Sequence, residues 1–290
     1  PDPNRKVLMN NYFSVFRYRH AVEQQILEEL ENGRYEWVNE APDIVSAMGA
    51  IPKKNGNVRL IHDCSRPTGF AVNDCAIKTK FQYQTLQDAV EMVNPGDFMS
   101  KVDLKNAYRS VKVSLSERTR LGLTWTFEGA VHPVYLVDTC LPFGHSRSPY
   151  VFHELSQAVC RIMAKWGYEN IVAYLDDFLI ICSSWGECKQ ALDLLIFLLR
   201  RLGFAIAYSK VEGPYQRIIF LGFLIDSLEM SVKLTIERVK ELNELLKETL
   251  LHSKITKRKL QSIIGKLSYC CQVVYGGRYF LRRLISIAAA

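Results

Sequence analysis

No stretch of the sequence contains the roughly 18 consecutive apolar residues that a membrane-spanning helix needs. The first residues, PDPNRKVLMNNYF, lack the apolar core of a secretory signal. Zinc-type cysteine pairs are absent too, since none of the eight cysteines forms a C-x-x-C pair or has a histidine at zinc-site spacing. We therefore expect reduced, buried thiols, no membrane partner and an intracellular location, in the cytoplasm or the nucleus.

Repeats, low-complexity segments and Ser/Gly linkers are also missing, which argues against a repeat array or a flexible tether. What is present is a chain of 290 residues that is 48% hydrophobic, enough for a large core shared by two or three packed subdomains. The net charge of +7 suits a polyanionic partner such as a nucleic acid. Many ordinary proteins are equally basic, so charge alone does not identify that partner.

An acidic pair interrupts the most apolar part of the sequence. In NIVAYLDDFLIICSS, residues 170–184, Asp176 and Asp177 separate two runs that each predict a strand, so the acids fall at the tip of a tight hairpin. We expect this tip to be exposed, which would remove the cost of burying charge. Two adjacent acids repel each other and make a poorer turn than Asn-Gly, and a bound cation would resolve that repulsion.

A third carboxylate, Asp103, falls where the strand predicted in DFMSKVDLKNAYRSVKV ends and a short turn or helix begins. Capping of that turn is the simpler account of this acid. A magnesium ion, which prefers oxygen ligands and few protein carboxylates, is the more specific one if the two strand ends are neighbours in one sheet.

The rest of the chain divides into a mixed part and a helical part. An amphipathic helix over 21–32 is ended by Gly33 and carries Val22, Ile26 and Leu30 on one face. Further predicted elements are a basic hairpin in IPKKNGNVRLIHD with its turn at Asn55-Gly56, strands in LGLTWTF, VHPVYLV, FAIAYSK and RIIFLGFLID, a helix from Ser148, an apolar helix ended by Gly203, and three helices after a boundary near Ser231.

Six motifs in this order resemble those of reverse transcriptases: PKKNGNVR, KVDLKNAY, LPFGHSRSP, YLDD, SK and FLGF. The resemblance covers about residues 51–285. Within that family, RLIHDCSRPTGFAVND, GDFMSKVDLKNAYRSVKV and KLQSIIGKLSYCCQVVYGGRYFLRRLI look most like the retrotransposons that carry a tyrosine recombinase, the DIRS and Ngaro type.

The resemblance implies an α+β right-hand polymerase fold, with a palm of mixed or antiparallel sheet, a fingers subdomain and a helical thumb. The fingers with an N-terminal extension would take 1–95. The palm would take 96–230, with an interleaved fingers segment at about 115–145, and the thumb would take 231–290.

The implied activity is RNA-directed DNA synthesis by two-metal phosphoryl transfer with two Mg²⁺ ions, for which Mn²⁺ could substitute. Asp103 and Asp176 would bridge the ions. Asp177 would be a further catalytic acid and metal ligand, although adjacent residues of an ideal strand point to opposite faces. The backbone carbonyl of Val102 or Leu104 would be available as an additional metal ligand.

Resemblance also assigns the groups that would contact the nucleotide and the nucleic acid. Lys53 and Arg59 would hold the triphosphate, Leu104 would lie beside it, Tyr108 would exclude a ribose 2′-hydroxyl, and Lys210 would donate a proton to pyrophosphate. Phe143 and Gly144 would lie under the nucleotide and template. The expected partners are an RNA template, a DNA primer, their RNA/DNA hybrid and dNTPs. The primer and duplex would be held by Phe220, Leu221, Gly222, Lys257, Lys259, Lys266 and Arg282.

Two other functions remain as alternatives. An RNA-dependent RNA polymerase shares the palm acids, but it usually has GDD and a small or polar residue at the Tyr108 position. A domesticated palm could serve only as a nucleic-acid-binding scaffold. No acid cluster at ribonuclease H spacing follows the thumb, so that activity, if RNA removal is needed, would lie elsewhere, for example in a longer polyprotein. Oligomeric state is open.

Overall fold

The architecture is that of an α+β protein with several small sheets. The computed structural model describes residues 6–53 and 56–289. Its strands are β1 (Val7–Leu8), β2 (Tyr35–Val38), β3 (Ile44–Val45), β4 (Ala47–Pro52), β5 (Val58–Asp63), β6 (Phe98–Asp103), β7 (Gly122–Trp125), β8 (Val134–Asp138), β9 (Ile171–Tyr174), β10 (Asp177–Cys182), β11 (Glu212–Tyr215), β12 (Arg217–Phe220), β13 (Phe223–Asp226) and β14 (Ser231–Leu234).

Helices separate these strands and dominate the end of the chain. They are α1 (Phe13–Arg17), α2 (Arg19–Glu31), α3 (Val72–Cys75), α4 (Leu86–Met92), α5 (Leu115–Arg118), α6 (Ser148–Lys165), α7 (Trp185–Arg201), α8 (Ile236–Leu250), α9 (Lys257–Cys270) and α10 (Gly277–Ala289), with short 3₁₀ helices at Ala107–Ser110 and Tyr208–Lys210. Over the described ranges, none of them combines the length and the apolarity that crossing a bilayer requires.

The central sheet has the strand order β11-β6-β10-β9, with β6 and β10 antiparallel in the middle. Alternate residues of β10 face opposite sides: Phe178 and Ile180 join a core beneath α6 and α7, while Leu179 joins a second core with β12 and β13. Burial on both faces explains why FLIIC is a continuous apolar run instead of an alternating one.

Three further sheets surround this one. A five-stranded sheet, β1-β3-β7-β8-β2, shares a core with α2 and with the β4–β5 hairpin. The third sheet, β12-β13-β14, adjoins the central one and carries the turn that α9 covers. The central sheet therefore has α6 and α7 on one face and α4 with the β12-β13-β14 sheet on the other. The end of β6 and the turn between β9 and β10 border a cavity.

Most predicted elements are present, with two corrections. FAIAYSK contains no named strand, because Ile206 makes only an isolated bridge to Leu104 and the chain then enters the 3₁₀ helix at Tyr208–Lys210. The helical part begins at Ile236 and not near Ser231, since Ser231–Leu234 pairs with β13.

The interpretation of α2 is confirmed, with one addition. Val22 and Ile26 are buried and Leu30 packs against the same core, while Glu29 is also buried because an arginine from another segment binds its carboxylate. The predicted β4–β5 hairpin is confirmed by its register, whereas Asn55 of its predicted turn, with the neighbouring Lys54, lies outside the described residues.

Candidate active site

The three acids singled out from the sequence meet where β6 and β10 end. Asp177 pairs directly with Asp103 across the antiparallel strands, and the Leu104 N–H donates to the Asp176 carbonyl at 3.0 Å. Leu175, at φ +54°, makes the left-handed turn that brings the chain from β9 into β10. The predicted convergence of the strand ends is confirmed.

These carboxylates are half-buried, which contradicts the exposed tip expected from the hairpin pattern. Burial raises the pKa of Asp176, and the charge of Asp103 raises it further. Burial is also the main cause that raises the pKa of Asp177 to about 7, followed by its hydrogen bond with Asp103 and the charge of Asp176. The hairpin tip is not free in solvent because the Tyr208–Lys210 segment and the 3₁₀ helix after β6 pack beside it.

One cation already compensates the negative charge. Lys210 donates from Nζ to both carboxylate oxygens of Asp103 at 2.9 Å, and this hydrogen bond raises the pKa of the lysine. The lysine side chain is 63% exposed, so it can leave this position without a large burial cost. The predicted site residue Lys210 therefore lies at the acids themselves.

A metal site is only partly prepared. Within the described ranges, no group of three or more His, Cys, Asp or Glu side chains is arranged to hold a metal ion. The donor chemistry nevertheless fits magnesium, since carboxylate oxygens are its preferred protein ligands and the mutual repulsion of the acids favours a cation. Lys210 holds both oxygens of Asp103, so a metal would have to displace it.

Asp103 and Asp176 form part of the wall of a cavity of about 530 Å³. Lys53 and Arg59 of the β4–β5 hairpin line the same cavity, although they are far from the acids in sequence. The Arg59 guanidinium lies 5.2 Å from the centre of the Phe143 ring, a cation–π distance. Positive charge and carboxylates thus border one space large enough for a nucleotide.

Tyr108 narrows this cavity. Asn106, at φ +55°, turns the chain out of β6 and into the 3₁₀ helix that carries the tyrosine. The Tyr108 ring lies 5.4 Å from Phe143 and 5.6 Å from Phe152, measured between ring centroids. Burial raises the pKa of its hydroxyl to about 12, so the side chain is neutral at physiological pH, and the two neighbouring rings hold it in place.

Gly144 is needed for close packing. It has φ +116°, and a Cβ at this position would lie 1.8 Å from the His62 carbonyl oxygen. The His62 N–H donates to the Phe143 carbonyl at 2.8 Å, which fixes the loop against β5. The steric requirement for glycine therefore comes from β5.

Comparison with known proteins identifies the family. A family model described as "Reverse transcriptase (RNA-dependent DNA polymerase)" matches residues 51–225. The chain belongs to the reverse transcriptase family. The match includes all three acids, Tyr108 and Lys210.

Similar proteins and structures agree with this assignment. The Gag-Pol polyprotein of koala retrovirus is 23% identical over 179 residues, which cover 59% of this chain and 10% of the polyprotein. A putative enzymatic polyprotein of cassava vein mosaic virus is 24% identical over 217 residues, covering 74% of this chain and 30% of that protein. The chain thus spans a minor part of these relatives.

A foamy viral protease–reverse transcriptase in complex with double-stranded DNA superimposes with a TM-score of 0.77, at 20% identity, covering 100% of this chain and 46% of that one. A foamy viral protease–reverse transcriptase in complex with an RNA/DNA hybrid superimposes with a TM-score of 0.77 at 20% identity. The match covers 99% of this chain and 35% of that one. The expected right-hand polymerase fold is confirmed.

In this reverse transcriptase chain, the turn between β12 and β13 only partly suits the role assigned to it. Leu221 and Gly222 are half-buried at the turn, and the Tyr269 hydroxyl of α9 donates to the Leu221 carbonyl. The Phe220 side chain is 2% exposed and belongs to the core, so its ring is not available to a nucleic acid. The alternation of β12 turns Phe220 inward, which the FLGF motif did not reveal.

The basic residues predicted for the thumb lie on α9 and α10. Lys257, Lys266 and Arg282 are exposed, whereas Lys259 is half-buried and pairs with Glu248 at 2.9 Å. Their exposure is compatible with phosphate contact and also with simple solvation.

The sequence interpretation missed a buried charged cluster behind Tyr108. It consists of Glu29, Arg34, Arg109 and Asp138, and the neutral His62 lies beside it. One signal was present in the sequence, because Glu29 follows Ile26 by three positions on the apolar face of α2. The arginine partner gave no local signal, since its distance along the chain conceals the contact.

Proposed function

We propose that this chain is the polymerase part of a reverse transcriptase, which extends a DNA primer on an RNA template with dNTPs. The proposal rests on one arrangement: Asp103 and Asp176 line the same cavity as Tyr108 and the cationic β4–β5 hairpin, and Asp177 is paired with Asp103 on the neighbouring strand. Phosphoryl transfer requires such a site, because negative charge spreads over the phosphate oxygens while the attacking and leaving oxygens lie in line.

Each residue has a task that its position allows. Lys53 and Arg59 would bind the triphosphate oxygens, since both cations line the cavity on a hairpin that projects from the sheet. Tyr108 would exclude the ribose 2′-hydroxyl with its fixed ring. Lys210 neutralises Asp103 in the structure described and would be released to protonate the departing pyrophosphate.

Reverse transcriptases generally depend on a divalent metal. Asp103 and Asp176 would hold two Mg²⁺ ions, or Mn²⁺ in their place, with Asp177 and the backbone of Val102 or Leu104 nearby. Bound there, the ions would supply the charge that activates the primer 3′-oxygen and stabilises the leaving group. The chain's own contribution is to hold the acids in one place and to limit access of water to them.

The finer assignments are also proposals. We place the chain in the tyrosine-recombinase retrotransposon branch on the three motifs quoted above. Fingers, palm and thumb follow the ranges 1–95, 96–230 and 231–290, with the thumb helices beginning at Ile236. An intracellular location and a ribonuclease H elsewhere in a longer polyprotein complete the proposal.

Primer extension tests the function directly. Purified protein is given an RNA or a DNA template, dNTPs or NTPs, and Mg²⁺. We expect dNTP extension on RNA, and loss of at least about a thousandfold in Asp103→Asn and Asp176→Asn. Asp193→Asn, an exposed acid of α7 that pairs only with Lys189 among the described ion pairs, is the matched control and should keep full activity.

Each other outcome has a definite meaning. Variants at Asp103 and Asp176 that extend as well as the parent would exclude the proposed site. Incorporation of NTPs in preference to dNTPs would favour an RNA polymerase. Duplex binding without extension by the parent would favour the scaffold.

A further inference from the structure

The residue after the proposed nucleotide gate joins two parts of the fold. Arg109 is 9% exposed and follows Tyr108 in the 3₁₀ helix. Its Nε and Nη2 donate to one oxygen of Glu29 at 2.9 and 2.7 Å, and its Nη1 donates to both oxygens of Asp138 at 2.8 and 2.7 Å. One guanidinium therefore connects the segment after β6 to α2 and to the end of β8.

The charges in this cluster are balanced. Glu29 also accepts from Arg34 at 2.9 Å, so two arginines face two carboxylates that are 6% and 0% exposed. Burial lowers the pKa of His62 to about 3, and the ring is therefore neutral. Removing one partner of such a buried set leaves an uncompensated charge, so the arrangement depends on every member.

This cluster supports the residues that border the nucleotide cavity. Glu29, His62 and Arg109 line the cavity themselves. The Arg109 Nη1 also approaches the Leu141 carbonyl at 3.4 Å, two residues before Phe143. Arg109 is thus attached to Tyr108 through the backbone and to the segment before Phe143 through a hydrogen bond.

We infer that Arg109 is a positioning residue that sets the distance between Tyr108 and Phe143, and thereby the fit of the incoming nucleotide. The inference rests on the proposed polymerase function. Arg109 touches neither Asp103 nor Asp176 by any described hydrogen bond or ion pair, so it does not act on the reacting atoms. Its influence passes through the two aromatic rings, whose centroids are 5.4 Å apart.

Only arginine satisfies this geometry. A guanidinium has a planar fork of five N–H donors and can serve two carboxylates and a carbonyl together, whereas an ammonium is a point charge with three donors. Arg109→Lys keeps the positive charge and loses the fork. The variant therefore separates positioning from simple charge balance.

The test is steady-state extension by the parent, Arg109→Lys and Arg118→Lys. Arg118 donates to both carboxylate oxygens of Glu36 in β2. This arginine–carboxylate pair lies outside the cavity and is therefore a matched control. For Arg109→Lys we expect KM for dNTP to rise about tenfold, discrimination against NTPs to fall about tenfold, and kcat per active site to change less. Arg118→Lys should match the parent in all three.

A purely structural role predicts a different result. It would reduce the fraction of active molecules, counted by the burst amplitude, and would leave KM and nucleotide discrimination unchanged. If Arg109→Lys does not fold, Glu29→Gln removes one carboxylate at nearly constant volume and must give the same KM shift. An unchanged KM in that variant would overturn the inference, while a parent that fails to extend would overturn the proposed function as well.

Discussion

Single residues differ most in how their environment sets their charge. Asp103 is neutralised by Lys210, while Asp177 lies half-buried beside two other acids and gains no comparable cation. Repulsion and desolvation therefore act on Asp177. This residue is the strained member of the site.

Asp177 should make the protein less stable as pH rises. Its pKa is about 7 in the folded state and 3.8 without the fold. Between these values the folded state keeps a proton that the unfolded state has lost, so stability from this group is full below the lower value and declines as pH rises through the higher one. Asp177→Asn lacks this titration. Its free energy of unfolding should therefore exceed that of the parent by about 1–2 kcal/mol at pH 8 and by much less at pH 4.

Urea unfolding in EDTA at the two pH values measures this difference, with Asp193→Asn as the control for loss of an exposed acid. A stability difference that is the same at both pH values would refute the assignment.

Tyr108 should select the sugar through its ring and not through its hydroxyl. Tyr108→Ala opens the space beside Phe143, so we expect the preference for dNTP over NTP, expressed as a ratio of kcat/KM values, to fall about tenfold or more. Tyr108→Phe keeps the ring and should behave like the parent. If the alanine variant retains the parental ratio, Tyr108 is not the gate.

At the scale of elements, antiparallel pairing of β6 with β10 and close packing of loops against strands define the site. The first brings Asp103 opposite Asp177, and the second presses the Phe143-Gly144 loop onto β5. Small backbone displacements in these elements would move several proposed contacts together. The Phe143-Gly144 loop is the more sensitive of the two, because the His62 carbonyl of β5 occupies the position that a Cβ at Gly144 would need.

Gly144→Ala should be strongly destabilising, because the new methyl group would overlap the His62 carbonyl and φ is +116°. We expect a loss of about 3 kcal/mol or more in the free energy of unfolding. Gly129→Ala has a similar positive φ with no atom within 4 Å, and should cost about 1 kcal/mol. Equal losses in the two variants, measured by chemical denaturation, would contradict the described packing.

For the whole molecule, the relation between the sheets and the terminal helices decides whether a duplex can bind. The β12–β13 turn is tied to α9 through Tyr269, which also stacks on Phe223 at 4.8 Å between ring centroids. Helix α9, which carries Lys257, Lys259 and Lys266, is thus fixed to the β12-β13-β14 sheet, and that sheet packs against the central one.

Binding of an RNA/DNA duplex should weaken with salt along a straight line in a log–log plot, because lysines and arginines displace counterions from phosphates. Lys266→Gln should reduce the slope by about one, since this lysine is exposed. Lys259→Gln should reduce it less, because Glu248 already engages Lys259. Fluorescence anisotropy at several salt concentrations checks both, and a slope near zero for the parent would show that these charges are only solvated.

The sequence alone was sufficient for features that depend on local pattern or on motif order. It placed Asp103 at a strand end and the acid pair in a hairpin, found the long helices, and identified the family, because strand and helix periodicity and turn residues act over a few neighbouring positions. Tertiary structure alone decided the half-buried state of the acids, the bond from Lys210 to Asp103, the inward ring of Phe220 and the cluster around Arg109. These depend on partners distant in the chain, and whether a polar group is buried is set by which partner the completed fold brings to it.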